Sequence, residues 1–94
     1  MTGTTVRIPT PLRPFTGGAD EVVAQGATVG DVLREVGCRH EGLRERVLDE
    51  RGQVRQFVNL FLGSKNVRTL QGLETPVHDG DVLSIIPAVA GGAR

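Results

Sequence analysis

The residue pattern predicts an α+β fold in which a mixed sheet of four to five strands packs on one main helix. Three observations carry this. Runs with two-residue alternation and β-branched or aliphatic side chains stand near both ends of the chain and once in its second half. One stretch between them places apolar residues at helical spacing. Ninety-four residues are enough for one domain with a modest core.

Thr4-Thr5-Val6-Arg7-Ile8-Pro9 alternates and predicts the first strand. Pro9, Pro11 and Pro14 break it, and Thr16-Gly17-Gly18-Ala19-Asp20 supplies turn residues. Glu21-Val22-Val23-Ala24 returns as a second strand, so the first two elements form a loose hairpin that Gly26 closes. Thr28 then stands where a helix N-cap is wanted, with Asp31 three residues on, an approximate capping box that satisfies free backbone N–H groups. Val29, Val32, Leu33 and Val36 come next on one helical face. Gly37 weakens the end of this helix, and Glu41 to Leu48 predicts a second helical piece carrying Leu43, Val47 and Leu48 among charges.

Arg51-Gly52-Gln53 reads as a turn before Phe57-Val58-Asn59-Leu60-Phe61-Leu62, the strongest strand signal in the chain. Val58, Leu60 and Leu62 make an aliphatic row; Phe57, Asn59 and Phe61 make a mixed one. A sheet covered by one helix buries one row, so the aliphatic row is expected inside and the mixed row outside. Gly63-Ser64-Lys65-Asn66 turns the chain, and Val67 to Pro76 is irregular with at most one short strand. His78-Asp79-Gly80-Asp81 is a tight turn into the last strand, where Leu83 and Ile85 share one face and Val82, Ser84 and Ile86 the other.

Composition removes several function classes. Eleven basic residues balance eleven acidic ones, so no basic field draws in nucleic acid. The longest apolar run falls far short of the ~20 residues that span a bilayer. Met1 to Thr5 shows neither the charged nor the apolar region of a secretory signal, so a cytoplasmic protein without membrane association is expected. Cys38, His40 and His78 are too few for a zinc or iron–sulfur site, and no bound metal or cofactor is expected. Three phenylalanines without Trp or Tyr offer little for base stacking or a deep aromatic pocket. No nucleophile and base stand at recognisable spacing, so the chain is not expected to be an enzyme. Cys38 reads as a packed or partly exposed thiol, His40 and His78 as solvent-facing turn residues, and Asp79 and Asp81 as flanks of a turn glycine. Glu41, Arg44, Glu45 and Arg46 read as a solvated helix face with i,i+4 pairs.

The last strand runs into Pro87 and then Ala88-Val89-Ala90-Gly91-Gly92-Ala93-Arg94. Pro87 lacks an N–H, so it is expected to end strand pairing and free the residues after it, dividing the chain into a domain at 1–87 and a tail at 88–94. Ala88, Val89, Ala90, Gly91 and Gly92 extend at most roughly 17 Å at ~3.3–3.6 Å each, enough to reach a recessed site in another protein. Gly91 and Gly92 have no Cβ and fit a narrow tunnel.

The order strand-strand-helix-strand-(strand)-strand matches the β-grasp, or ubiquitin-like, architecture. Specific segments narrow this further. Ile8-Pro9-Thr10, Leu12-Arg13-Pro14, Thr16-Gly17-Gly18, Arg55-Gln56-Phe57-Val58-Asn59, Asp79-Gly80-Asp81 and Pro87-Ala88-Val89-Ala90-Gly91-Gly92 together resemble the ThiS/MoaD family of ubiquitin-like sulfur carriers. Within that family the likeness is greatest to the CysO type, which serves the O-phosphoserine route to cysteine. It runs from the first strand to Gly92. A lone Gly-Gly is weak evidence; Gly-Gly after a terminal strand and an Asp-Gly-Asp turn in this fold is specific.

The resemblance implies a protein co-substrate that is a monomer when free and binds no cofactor of its own. An E1-like enzyme of the MoeB, MoeZ or ThiF type uses ATP to adenylate the terminal glycine. A sulfur donor then displaces AMP, and the thiocarboxylate on the residue matching Gly92 donates sulfur to a downstream biosynthetic enzyme. Ala88 to Gly92 would be the segment that enters the partner's active site. Activated members end at the second glycine, whereas Ala93-Arg94 extend the chain here. The expectation is therefore a precursor trimmed after Gly92 by a peptidase such as a zinc metalloprotease of the JAMM type; a terminus of no consequence is the alternative.

Ordering a tail on docking costs entropy, so a folded surface must supply affinity. Phe57, Phe61 and Ile86 are the candidates, against a competing reading in which they cover a small cluster under the loop Val67–Leu73. Two further functions share the same tail: a modifier conjugated to other proteins through Gly92, and an interaction domain that kept the fold without the chemistry. The sulfur acceptor leads to cysteine on the resemblance, with thiamin, molybdopterin or a specialised metabolite left open.

Overall fold

A computed structural model of the chain describes residues 3–87. Strands β1 (Thr4–Arg7) and β2 (Glu21–Ala24) form the expected antiparallel hairpin, with Thr5 opposite Val23 and Arg7 opposite Glu21. Their alternation places Val6, Val22 and Ala24 in the core and Arg7, Glu21 and Val23 outside. The link between them departs from the expected break and turn: Thr10–Thr16 winds into a 3-10 helix. Prolines there act as starters because their fixed φ suits a first helical turn. The helix unwinds at Gly17, whose φ of 69° favours glycine. Leu12 and Thr16 turn inward, and the Thr16 hydroxyl is shared between the carbonyls of Arg13 and Ala19 at 3.1 and 2.9 Å.

Helix α1 (Val29–Arg39) starts as predicted, with the Thr28 hydroxyl accepting from the Asp31 N–H at 3.2 Å. It buries Val29, Val32, Leu33 and Val36. Gly37 lies in the same buried face: a Cβ there would stand 2.7 Å from the Arg44 side chain, so glycine lets α2 (Glu41–Val47) cross closely. Gly42 does the same for Phe15, which a Cβ would meet at 2.8 Å. The i,i+4 pairs expected on α2 do not form; Arg44 packs over Gly37, and Arg46 stacks 4.8 Å above the Phe15 ring centroid. His40 joins the two helices half-buried, not as a solvent-facing turn residue.

The sheet is completed by β3 (Val58–Leu62), β4 (Lys65–Asn66) and β5 (Val82–Pro87), in the order β2-β1-β5-β3-β4. Only β1 and β5 run parallel; the other neighbours are antiparallel. Both helices cover one face. Val58 and Leu60 of the aliphatic row are buried there with Leu83 and Ile85, while Leu62 is half-buried near the end of its strand. Three details differ from expectation. Lys65–Asn66 is strand rather than turn, Val67–Thr69 and Gly72–Glu74 are short 3-10 helices, and Phe57 precedes β3 instead of opening it. Pro87 does not end the pairing before itself: it sits inside β5 opposite Val58, where the ladder loses one donor and no more. The turn before β5 holds as read, the His78 N–H donating to Asp81 Oδ2 at 2.8 Å and Gly80 at a φ of 91°. No helix among the described residues is long and apolar enough to cross a membrane.

Leu60, 1% exposed, anchors the centre of this core. Leu60→Ala is expected to lower the unfolding free energy by about 2–5 kcal/mol, read from urea denaturation. The helix cap also makes a pH prediction. Partial loss of water works to raise the Asp31 pKa. Hydrogen bonds from Arg34, the Ala27 N–H and the Thr28 hydroxyl, with the charge of Arg34, outweigh it and hold the carboxyl below its ordinary value. The unfolded chain therefore binds this proton more readily. The stability Asp31 contributes is complete above its unfolded pKa and is lost as pH falls through the folded one. Unfolding curves across the acid range should show a shallower loss of stability in Asp31→Asn than in the parent chain.

Candidate functional site

The helices leave the other face of the sheet uncovered, and its composition is set by strand alternation. Thr5, Arg7, Val23, Asn59, Phe61, Val82, Ser84 and Ile86 belong to it by register. Ile86 stands directly opposite Asn59, and Ser84 opposite Phe61. Val23 and Ile86 are 53% and 46% exposed, and Val82 is 36% exposed, so three aliphatic side chains share this open face. Arg7 and Glu21, 3.9 Å apart, form the polar margin on the β2 side.

Phe57 sits beside this face at the start of β3, 53% exposed, at the tip of a turn closed by the Val58 N–H donating to the Arg55 carbonyl at 3.0 Å. A depression of about 390 Å³ lies against it, lined by Arg46, Asp49, Arg55 and Pro87 among others. Pro87, the last described residue, stands opposite Val58 and Ile86 opposite Asn59, so Phe57 and Ile86 lie close to the end of the described chain. Phe61 contributes less than expected: it is half-buried.

In the loop Val67–Leu73, Val67 is buried in the main core and Leu73 packs against that core, while Phe57 and Ile86 stay exposed. The predicted sulfur-carrying Gly92, the inserted segment Ala88, Val89, Ala90 and Gly91, and the extension Ala93-Arg94 lie outside the described residues.

Other chemistry-bearing groups do not converge. Cys38 is exposed near the end of α1, and the His78 side chain is 82% exposed with Asp81 Oδ2 3.7 Å away. Among the described residues no three His, Cys, Asp or Glu side chains are grouped to hold a metal ion. A depression of about 760 Å³ lies on the helix side, where Arg34, Arg44 and Arg51 are balanced by Asp49, Glu50 and Glu74. Asp49 is occupied structurally: its carboxylate accepts from the Gln53 and Arg51 N–H groups at 3.0 and 2.8 Å. These bonds, the Gln53 one foremost, hold its pKa below the ordinary value. Sequence reasoning missed Arg68, whose guanidinium reaches the Phe57 turn; nothing in its local spacing signals so long a reach.

Comparison with known proteins places this geometry. The sequence model of the ThiS family matches residues 6–92. Sulfur carrier protein CysO of Mycobacterium tuberculosis is 44% identical over 90 residues, which cover 94% of this chain and 97% of that protein. In the crystal structure of the Amycolatopsis orientalis BexX/CysO complex, a chain 46% identical superposes with a TM-score of 0.89. The match covers 96% of this chain and all of the other. Small archaeal modifier protein 3 of Haloferax volcanii is 41% identical over 70 residues, 74% of this chain and 75% of that protein.

An exposed side chain that serves docking rather than folding should be removable without harm to the fold. Phe57→Ala is expected to change stability by no more than about 0.5 kcal/mol in urea denaturation.

Proposed function

The chain belongs to the ThiS family, and from that premise we propose that it carries sulfur as a thiocarboxylate on Gly92, exposed by removal of Ala93-Arg94 and activated by an E1-like enzyme with ATP. At the coarser level the chain is a sulfur carrier of the ThiS/MoaD type. The family match through residue 92 is the observation that supports the finer reading: it takes in both glycines and leaves Ala93-Arg94 beyond it.

A carboxylate resists substitution because oxide would have to leave. Attack of a Gly92 carboxylate oxygen on the α-phosphorus of ATP breaks the bond to pyrophosphate and forms an acyl adenylate. A sulfide equivalent from the sulfur donor then adds to the carbonyl carbon, and AMP departs with the electron pair of the C–O bond. The carrier's own part is delivery. The open face docks, and Ala88 to Gly92 enter the partner's site. The downstream partner is a sulfur-accepting biosynthetic enzyme, serving cysteine formation or a specialised sulfur metabolite. The trimming enzyme in this reading is a JAMM-type peptidase, and the cycle runs in the cytoplasm.

Docking energy in this reading comes from Phe57 and Ile86, with a smaller share from half-buried Phe61. Both enzymes use the same tail, so both bind the same face in turn. The likeness to a small archaeal modifier protein favours one second reading, in which a lysine amine instead of sulfur attacks the same adenylate.

Activation can be monitored as ATP–pyrophosphate exchange with the E1-like enzyme. A chain ending at Gly92 is expected to support exchange, and the ninety-four-residue chain is not. Phe57→Ala in the trimmed chain should raise KM about tenfold with kcat little changed, as for loss of one interface anchor. No exchange with the trimmed chain would reject the carrier reading; ladders of higher-mass conjugates with sulfur-free Gly92 would select the modifier.

A further inference from the structure

Resting on the carrier reading above, we infer that Arg68 is a positioning residue that fixes Phe57 for docking onto the activating enzyme. The Nη2 group of Arg68 lies 3.2 Å from the carbonyl oxygen of Arg55, 3.4 Å from that of Gln56 and 3.0 Å from that of Val58. These are three of the four carbonyls of the turn that presents Phe57 at its tip. With two hydrogens, Nη2 is shared among the three acceptors, so every carbonyl of the turn but that of Phe57 converges on one charged donor.

The donor is itself held. Arg68 belongs to the 3-10 helix Val67–Thr69, where the Asn66 side chain accepts from the Arg68 N–H at 2.9 Å and Val67 is 2% exposed in the core. The turn is tied from its other side too: the Arg55 N–H donates to the Val47 carbonyl at 2.9 Å, and Arg55 Nε to the Glu45 carbonyl at 2.7 Å. Among the described residues Arg68 forms no ion pair with a carboxylate. Its charge is spent instead on the backbone of a surface turn whose most prominent side chain points to solvent.

Such an arrangement has a use in binding. An exposed phenylalanine on a loose turn surrenders backbone and rotamer freedom when it docks, whereas a turn already fixed has surrendered it on folding. Arg68 thus acts through Phe57, not by touching the tail or the nucleotide.

The test is a double-mutant cycle in the trimmed chain, read by ATP–pyrophosphate exchange and by amide hydrogen exchange. Arg68→Met keeps the apolar stem and removes every donor. It should raise KM about fivefold at unchanged kcat in the parent background and leave KM unchanged in a Phe57→Ala background, because coupled residues are not additive. The Val58 amide should exchange faster while those of Leu60 and Leu83 keep their protection. Arg68→Lys, with a compact donor, should recover part of the loss.

Unchanged KM despite a loosened turn overturns the inference. So does an equal KM increase in both backgrounds, or faster exchange throughout the core, which would make Arg68 a merely structural support. If the parent trimmed chain is not activated at all, the carrier reading fails and the docking role with it. Activation of the parent with no effect of Arg68→Met removes only the positioning role.

Discussion

The parallel pairing of β1 with β5 organises the sheet around it. Thr5, Val6 and Arg7 lie beside Val82, Leu83 and Ser84, so the first and last strands of the domain are neighbours at the middle of the sheet. A parallel neighbour cannot be reached by a tight turn; the chain must cross over, and the segment that crosses is the one that carries both helices. Burial of Val6 and Leu83, both with no exposed area, locks this pair from the helix side. Because β3 pairs with the other edge of β5, the strand leading into the tail is gripped on both sides through Ser84 and on one side to Pro87. The position of Pro87, the last described residue, is therefore set by the core.

That placement explains the asymmetry of the two faces. Helices on one side satisfy the apolar demand of Leu60, Leu83 and Ile85, and no second layer among the described residues covers Val82, Ile86 or Phe57. In a chain selected for stability alone, exposed positions on a small sheet would be polar. Their apolar character next to a strand that ends in the tail makes sense when a second protein completes the layer. In the carrier reading proposed above, docking on this face supplies the affinity for insertion of Ala88 to Gly92.

Much of the fold was legible in the sequence wherever one side chain row or one cap decided the matter. The Thr28 cap, the Val29-Val32-Leu33-Val36 face and the alternation in Val58 to Leu62 and Val82 to Ile86 each specify their own element. The features that escaped depend on partners distant in the chain. Lys65–Asn66 is a strand only because Phe61 and Leu62 stand opposite it, and Gly37 is a crossing point only because Arg44 returns to it. The prolines around Pro11 break a strand, as read, yet the same fixed φ starts a 3-10 turn. Pro87 ends an apolar run in the sequence, but a proline at the last rung of a ladder costs one donor and can still be paired. The exposure of Ile86 was readable from strand alternation; Phe57 is exposed as expected, but on a turn before β3, and the Arg68 contacts that cross to that turn leave no periodic trace.

Carriage of sulfur on Gly92 can be read from the intact mass of the chain recovered from its own host. The expected chain has lost Ala93-Arg94 and bears one sulfur in place of a terminal oxygen. A population that keeps all ninety-four residues with an unmodified carboxylate, under sulfur demand and with the activating enzyme present, would contradict it.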